Sequence, residues 1–220
     1  MPDASSEAGR ADWASILSAV LPDVDIFLPS FEELLFMLDR PLYDKLRSSG
    51  DSGVLPKAHG ELLGRLSGRL LDMGVAIAVI KLGEHGLYMR TTARQDRLRE
   101  MGCCKPESKG WLGRELLAPC YKAAAVGTTG AGDCTIAGFL HGMIRGGEPH
   151  HVLNGAAAVG ACSVESADAT SGVPEWPAVA RRMKAEWERM PHRLRLPAWT
   201  WNHKLQLWIG PNDGGRRETE

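Results

Sequence analysis

The chain has 220 residues, 44% hydrophobic and 24% charged, a composition that supports one large globular domain or two small ones and excludes bulk disorder. Lysine and arginine number 26 against 27 acidic residues, and the net charge of -1 supplies no basic field to hold a phosphate polymer or an anionic membrane. No apolar run approaches the roughly 20 residues of a membrane span. The opening Met1 to Glu7 lacks the basic and apolar regions of a signal peptide. Nucleic acid and membrane are therefore not expected partners, and a cytoplasmic location is expected.

Residues 1–11 form a polar N-terminal segment, after which Trp13, Ile16, Leu17, Val20 and Leu21 recur at helical spacing until Pro22 stops the helix. Asp25 to Pro29 suits a short buried strand. Ser30 then precedes a helix over Phe31 to Leu38, whose Glu32 and Glu33 suit its N-terminus. Arg40 to Lys57 reads as loop with irregular helix, and Leu62, Leu63, Leu66, Leu70 and Leu71 mark an amphipathic helix that Gly74 ends. Val75 to Ile80 is apolar at every position, as a parallel strand covered on both faces would be. Gly83-Glu84-His85-Gly86 supplies a turn into Leu87 to Thr92 and predicts a hairpin at a sheet margin.

Ala93 to Gly113 reads as a surface excursion and Tyr121 to Val126 as a strand. Cys134 to Ile144, Pro149 to Val164 and Pro177 to Met190 are predicted helices. Alternating strands and helices predict an α/β layered domain over residues 12–195. In the tail, 196–220, Trp199, Trp201 and Trp208 are expected to cover a core, and Gly210 to Glu220 to fray. The five cysteines form no CxxC pair; adjacent Cys103 and Cys104 are poorly placed to chelate one ion, and free thiols are expected.

Chemistry concentrates in Thr128-Thr129-Gly130-Ala131-Gly132-Asp133. Small residues allow a tight turn, and where that turn opens a helix, unpaired amides and the positive dipole end face outward together, as phosphate oxygens require. An Asp in the first turn would stand beside such a phosphate, able to accept a proton from an attacking hydroxyl. The same glycines serve equally as a plain strand-to-helix turn, with Asp133 complementing the dipole. Spacing alone divides the two readings evenly. A P-loop is excluded by the lack of Gly-Lys-Ser/Thr, and the dinucleotide fingerprint fails at Thr135.

The segment resembles the C-terminal signature of the PfkB, or ribokinase-like, sugar kinases, Asp-Thr-x-Gly-Ala-Gly-Asp. The resemblance continues through Val79-Ile80-Lys81-Leu82-Gly83-Glu84-His85-Gly86 and the Ala-rich helix ending near Val164, and covers most of residues 12–190. It implies a three-layer α/β sandwich with a mostly parallel central sheet. By the same resemblance Gly130, Ala131 and Gly132 would form an anion hole and Asp133 would be the catalytic base. Lys81, Gly83, Gly86, Thr128 and Thr129 would border ATP. Ser30-Phe31-Glu32-Glu33 is similar to the family's Asn-x-x-Glu element, so Glu33, with Ser30 in place of Asn, would organise Mg2+ through water. Read alone, Glu33 is a solvated glutamate opening a helix and Lys81 a polar strand end.

Gly127 stands where many relatives carry the Asp that helps hold a monovalent cation, which argues against potassium dependence. The family's opening strands, with their Gly-Gly motif, sugar contacts and β lid, have no counterpart before Trp13, so the chain reads as the C-terminal part of such a kinase. The expected function is ATP-dependent phosphoryl transfer to a small sugar. The alternative is a catalytically idle remnant that binds nucleotide or a protein partner. A Rossmann-type oxidoreductase lacks its glycine spacing. A sheet cut after its first strands exposes an edge, which a homo-oligomer would cover.

Overall fold

The computed structural model describes residues 6–48, 53–102, 105–106 and 109–215. The helices are α1 (Glu7–Arg10), α2 (Trp13–Val20), α3 (Phe31–Leu38), α4 (Arg40–Ser48), α5 (Gly60–Asp72), α6 (Gln95–Arg99), α7 (Ala131–Ile144), α8 (Pro149–Ser163) and α9 (Trp176–Lys184). The strands are β1 (Ile26–Phe27), β2 (Ile77–Lys81), β3 (Leu87–Thr91), β4 (Glu115–Ala118), β5 (Thr200–Asn202) and β6 (Leu207–Ile209).

Local chemistry sets the boundaries. Asp12 accepts from the Ser15 N–H at 3.1 Å and opens α2, and Pro22 confines the following residues to one 3-10 turn, Leu21–Asp23. Ser30 and Glu33 form a capping box at α3: the Ser30 N–H donates to Glu33 Oε2 at 2.7 Å, and the Glu33 N–H donates to Ser30 Oγ at 3.3 Å. Gly74 ends the turn after α5 with a φ of +107°, and Pro22 fills the space a side chain would need.

The strands form one six-stranded sheet in the order β1-β2-β3-β4-β6-β5. Only β1 and β2 run parallel, with Ile26 opposite Ile77; the other four pairings are antiparallel. The sheet is thus mixed rather than mostly parallel, because two hairpins reverse the chain without a helical crossover. β2 is apolar from Ile77 to Ile80 because both its faces are covered. Ala78 and Ile80 enter a core with α3 and α5, while Ile77 and Val79 enter another with Phe139 and Met143 of α7 and Val152 and Leu153 of α8. The result is a three-layer α/β sandwich. Among the described residues no helix is long and apolar enough to cross a membrane.

Several local expectations give way to tertiary contacts. The β2–β3 hairpin lies inside the sheet, since β4 covers the outer edge of β3. Tyr121 to Val126 forms no strand of the sheet: Tyr121 bridges to Arg189, and the Val126 N–H donates to Val164 O at 2.7 Å; the strand before the glycine turn is β4, which ends at Ala118 before Pro119. Arg40–Ser48 is a regular helix, and α9 stops at Lys184, two residues before Glu186 takes a φ of +54°. The described residues between Ala93 and Gly113 include two anchors. Trp111 is 1% exposed and packs edge-on against Phe139, and Arg97 pairs with Asp25 at 2.8 Å.

The tail adds β5 and β6 to the sheet, and Trp199 is buried against Tyr88. Gly210 to Gly215 does not fray, because it satisfies a buried carboxylate. Glu115 is fully buried and accepts from the Tyr88 hydroxyl at 2.9 Å and the Asn212 N–H at 2.7 Å. Burial first, and then the Glu115 charge, push the Tyr88 hydroxyl well above its ordinary range, so it remains a donor. Residues 216–220 and the Cys103-Cys104 pair lie outside the described residues. Cys120, Cys134 and Cys162 are free thiols.

Candidate active site

The glycine turn is built around Gly130, the N-cap of α7, with a φ of +74°. A Cβ at this position would stand 2.5 Å from Ala169 Cβ, so the left-handed backbone and the close packing both require glycine. Within the first turn of α7 the Ala131 N–H donates to Thr128 O at 3.2 Å and the Cys134 N–H to Gly130 O at 2.8 Å. The N–H groups of Gly132 and Asp133 between them carry no hydrogen bond among the described residues. They are the orphan donors of a 14-residue helix, at its positive end. Ala131, expected to share in the anion hole, has its amide turned to Thr128 instead.

Lys81 ends β2, where its N–H donates to Pro29 O at 3.0 Å and its backbone bridges to Ser30. Its Nζ lies 3.4 Å from where a Cβ of Gly132 would stand, which sets an ammonium over the start of α7. Gly83, at φ +53°, and Gly86, at φ +98°, close the adjoining turn, and Gly86 lies so near the Ala118–Cys120 backbone that no side chain fits. A cleft of about 670 Å³ joins these parts: Ser30, Lys81, Gly83, Gly86, Thr128, Ala131 and Gly132 all line it.

Gly130, Thr129, Asp133 and Glu33 do not line that cleft. Asp133 is exposed at its rim, and among the described residues its carboxylate makes no hydrogen bond or ion pair. Ile136, one turn further along α7, lines a second, apolar hollow of about 650 Å³ with Trp13, Phe27, Met37 and Glu33. Asp133 therefore stands between a cleft rich in polar backbone and a hollow whose polar side chain is Glu33.

For Glu33, burial is the largest influence and pushes its carboxyl upward, but the Ser30 N–H and hydroxyl, with the Lys81 charge, hold it below the ordinary range. One oxygen serves the cap. The other remains for a cation. Among the described residues no cluster of three or more His, Cys, Asp or Glu could hold a metal unaided. That donor set fits magnesium arriving with a nucleotide, since Mg2+ is usually held by one or two carboxylates, water and substrate phosphates.

Some site residues escaped sequence reasoning. Cys120, Tyr121 and Met190 line the cleft, as do Ala157, Gly160, Ala161 and Val164 along one face of α8. The three-and-four spacing of those small residues was the available signal. Burial pushes the Cys120 thiol up, so it stays protonated. A larger cleft of about 930 Å³ lies between α8, α9 and the β5–β6 hairpin. Several of its polar groups are paired: Asn154 donates to Leu205 O at 2.9 Å and accepts from Arg189 at 2.6 Å, and the Trp187 indole N–H donates to Lys122 O at 2.6 Å. The open N–H groups at the start of α7 point to the smaller cleft.

The pfkB family carbohydrate kinase model matches residues 4–176. No curated protein matches the chain. Arabidopsis thaliana ribokinase, complexed with ribose and ATP, is 21% identical with a TM-score of 0.54, over 76% of this chain and 43% of that one. A Burkholderia thailandensis nucleoside kinase in complex with inosine is 16% identical with a TM-score of 0.53, over 83% and 47%. An E. coli protein provisionally named ribokinase II, in complex with ATP and Mg2+, is 20% identical with a TM-score of 0.53, over 78% and 42%. These likenesses show the fold, and the chain spans less than half the length of each structure. With most of its length inside the family match, the chain belongs to the pfkB family of carbohydrate kinases.

Proposed function

We propose that the chain binds ATP in the 670 Å³ cleft and transfers its γ-phosphoryl group to a sugar hydroxyl. The carrying observation is the pair of N–H donors at Gly132 and Asp133 that carry no hydrogen bond among the described residues, with the Lys81 ammonium over the start of α7 and an Asp133 carboxylate likewise without a partner among them. The terminal phosphate would sit on those donors. Thr128 and Lys81 would bracket the chain of phosphates, and Gly83 and Gly86 would let the backbone approach it. Asp133 would take the hydroxyl proton as the sugar oxygen bonds to phosphorus and the bond to ADP breaks. Magnesium, held through Glu33 and water, would offset phosphate charge. Gly127 packs within 3.1 Å of Ala167 and Ser166 at the Cβ position and brings no carboxylate to a monovalent cation.

A second reading, nucleotide binding without turnover, is favoured by the apolar hollow beside Asp133, which offers little to hold sugar hydroxyls. Isothermal titration separates the two. ATP binding with ADP release that depends on added sugar supports the kinase; ATP binding with no release under any sugar supports the second reading, and no ATP binding overturns both.

The two-residue strand β1 lies at a sheet edge beside the same hollow. We propose that self-association covers this face. Light scattering should then report a species larger than 23.9 kDa, and a monodisperse monomer overturns the proposal.

A further inference from the structure

We infer that Asp168 is a positioning residue for phosphoryl transfer, one that sets the amides of the anion hole by holding Ala169 against Gly130; this rests on the reading of the α7 N-terminus as a phosphate site. The loop after α8 packs against two glycines at the active-site turn, Gly127 and Gly130. A Cβ at Gly127 would meet Ala167 O at 3.0 Å and Ser166 O at 3.1 Å, and a Cβ at Gly130 would meet Ala169 Cα at 2.9 Å. The Cys134 thiol donates to Ala169 O at 3.1 Å, from the helix turn that also bears Gly132 and Asp133. At contacts this close, a displaced Ala169 displaces the turn.

On the loop side, Ala169 is held by the turn of the residue before it. Asp168 Oδ1 accepts from the Thr170 N–H at 2.9 Å and the Ser171 N–H at 2.7 Å, and Oδ2 accepts from the Ser171 hydroxyl at 2.6 Å. The base of the loop has separate anchors. Glu165 pairs with Arg182 through two bonds, at 2.6 and 2.7 Å, and Gly172 packs on the carbonyls of Cys162 and Ser163. The tip depends on the Asp168 turn. The Ser171 hydroxyl first, then the Ser171 and Thr170 amides, hold the Asp168 carboxyl at about 2 instead of 3.8. A depressed value means that its bonds contribute above pH 3.8 and are lost as pH falls toward 2, so the turn is intact at neutral pH.

Asp168 is exposed and all three bonds stay within its own loop, so its loss should change global stability little. The informative readout is the preference for ATP over ADP, which isolates the terminal phosphate on the α7 amides. Titration calorimetry with magnesium compares the unaltered chain, Asp168→Ala and Asp168→Asn, with thermal unfolding of each. We expect Asp168→Ala to lower the ATP preference about tenfold, as for one lost hydrogen bond to a charged group. ADP affinity and Tm should hold, and Asp168→Asn, whose amide oxygen still accepts from both N–H groups, should restore most of the preference. Unchanged preference in Asp168→Ala overturns the inference, as does an equal loss of ATP and ADP binding with a fallen Tm. If the unaltered chain itself shows no preference for ATP, the phosphate-site reading fails and the positioning role fails with it.

Discussion

Asp133→Ala should lower kcat about 100- to 10,000-fold, the range for losing a positioned general base, with ATP affinity unchanged. The split follows from where the residue stands. Asp133 lies outside the lining of the 670 Å³ cleft, so its side chain should add little to ground-state binding there, while the backbone N–H that would meet phosphate survives the substitution. The carboxylate has no partner among the described residues, so no buried network collapses when it is removed. Steady-state kinetics with the sugar that supports turnover, alongside titration of ATP, reads both quantities. Unchanged kcat removes Asp133 from the mechanism. An equal fall in ATP affinity would instead place it against the phosphates, with repulsion or metal contact replacing proton transfer as its role.

The parts of this site that were legible in the sequence are those whose chemistry is local. The Val75 to Ile80 run is apolar at each position, and the glycine turn declares a tight strand-to-helix junction; both follow from residues within a few positions of one another. Ser30 and Glu33 likewise meet within one helical turn. β4 was illegible because its first residue, Glu115, is a charge that reads as surface. It is buried only because Tyr88, 27 residues away, and Asn212, 97 residues away, supply its hydrogen bonds. The β5 and β6 strands have three residues each, too few for an alternating pattern to declare itself. Asp168 sits in a polar stretch that looks like any loop. Its importance lies in its neighbour Ala169, which packs on the backbone of Gly130 across 39 positions of sequence, a contact visible only once α7 and α8 have packed. Lys81 was separable from an ordinary polar strand end only through the family resemblance; the fold adds a reason, its Nζ over Gly132.

Asp213→Ala should destabilise the fold by about 3–5 kcal/mol, the cost of breaking a buried ion pair from one side. Against a total stability of about 5–15 kcal/mol for a domain, that is enough to leave the chain marginally folded. Asp213 is 4% exposed, and its Oδ2 accepts from Arg114 Nε at 2.9 Å and from the Glu115 N–H at 2.8 Å. Removing it takes the carboxylate from a guanidinium whose side chain is 17% exposed and that keeps a bond to Gly110 O, and it leaves a buried amide in β4 without an acceptor. The damage spreads by contact. With Asp213 gone the 210–215 segment loosens, the Asn212 amides leave Glu115, and a carboxylate at 0% exposure keeps only the Tyr88 hydroxyl. Asp213→Asn, which retains an oxygen for the Glu115 N–H, should lose less. Urea unfolding followed by tryptophan fluorescence measures both variants, and the m value tells where the loss occurs. A single transition with a lower midpoint and the same m makes the tail part of one cooperative unit with β4. A loss under 1 kcal/mol, or a separate early transition, would instead place the cooperative domain within residues 12–195 and make the β5–β6 hairpin an accessory to it.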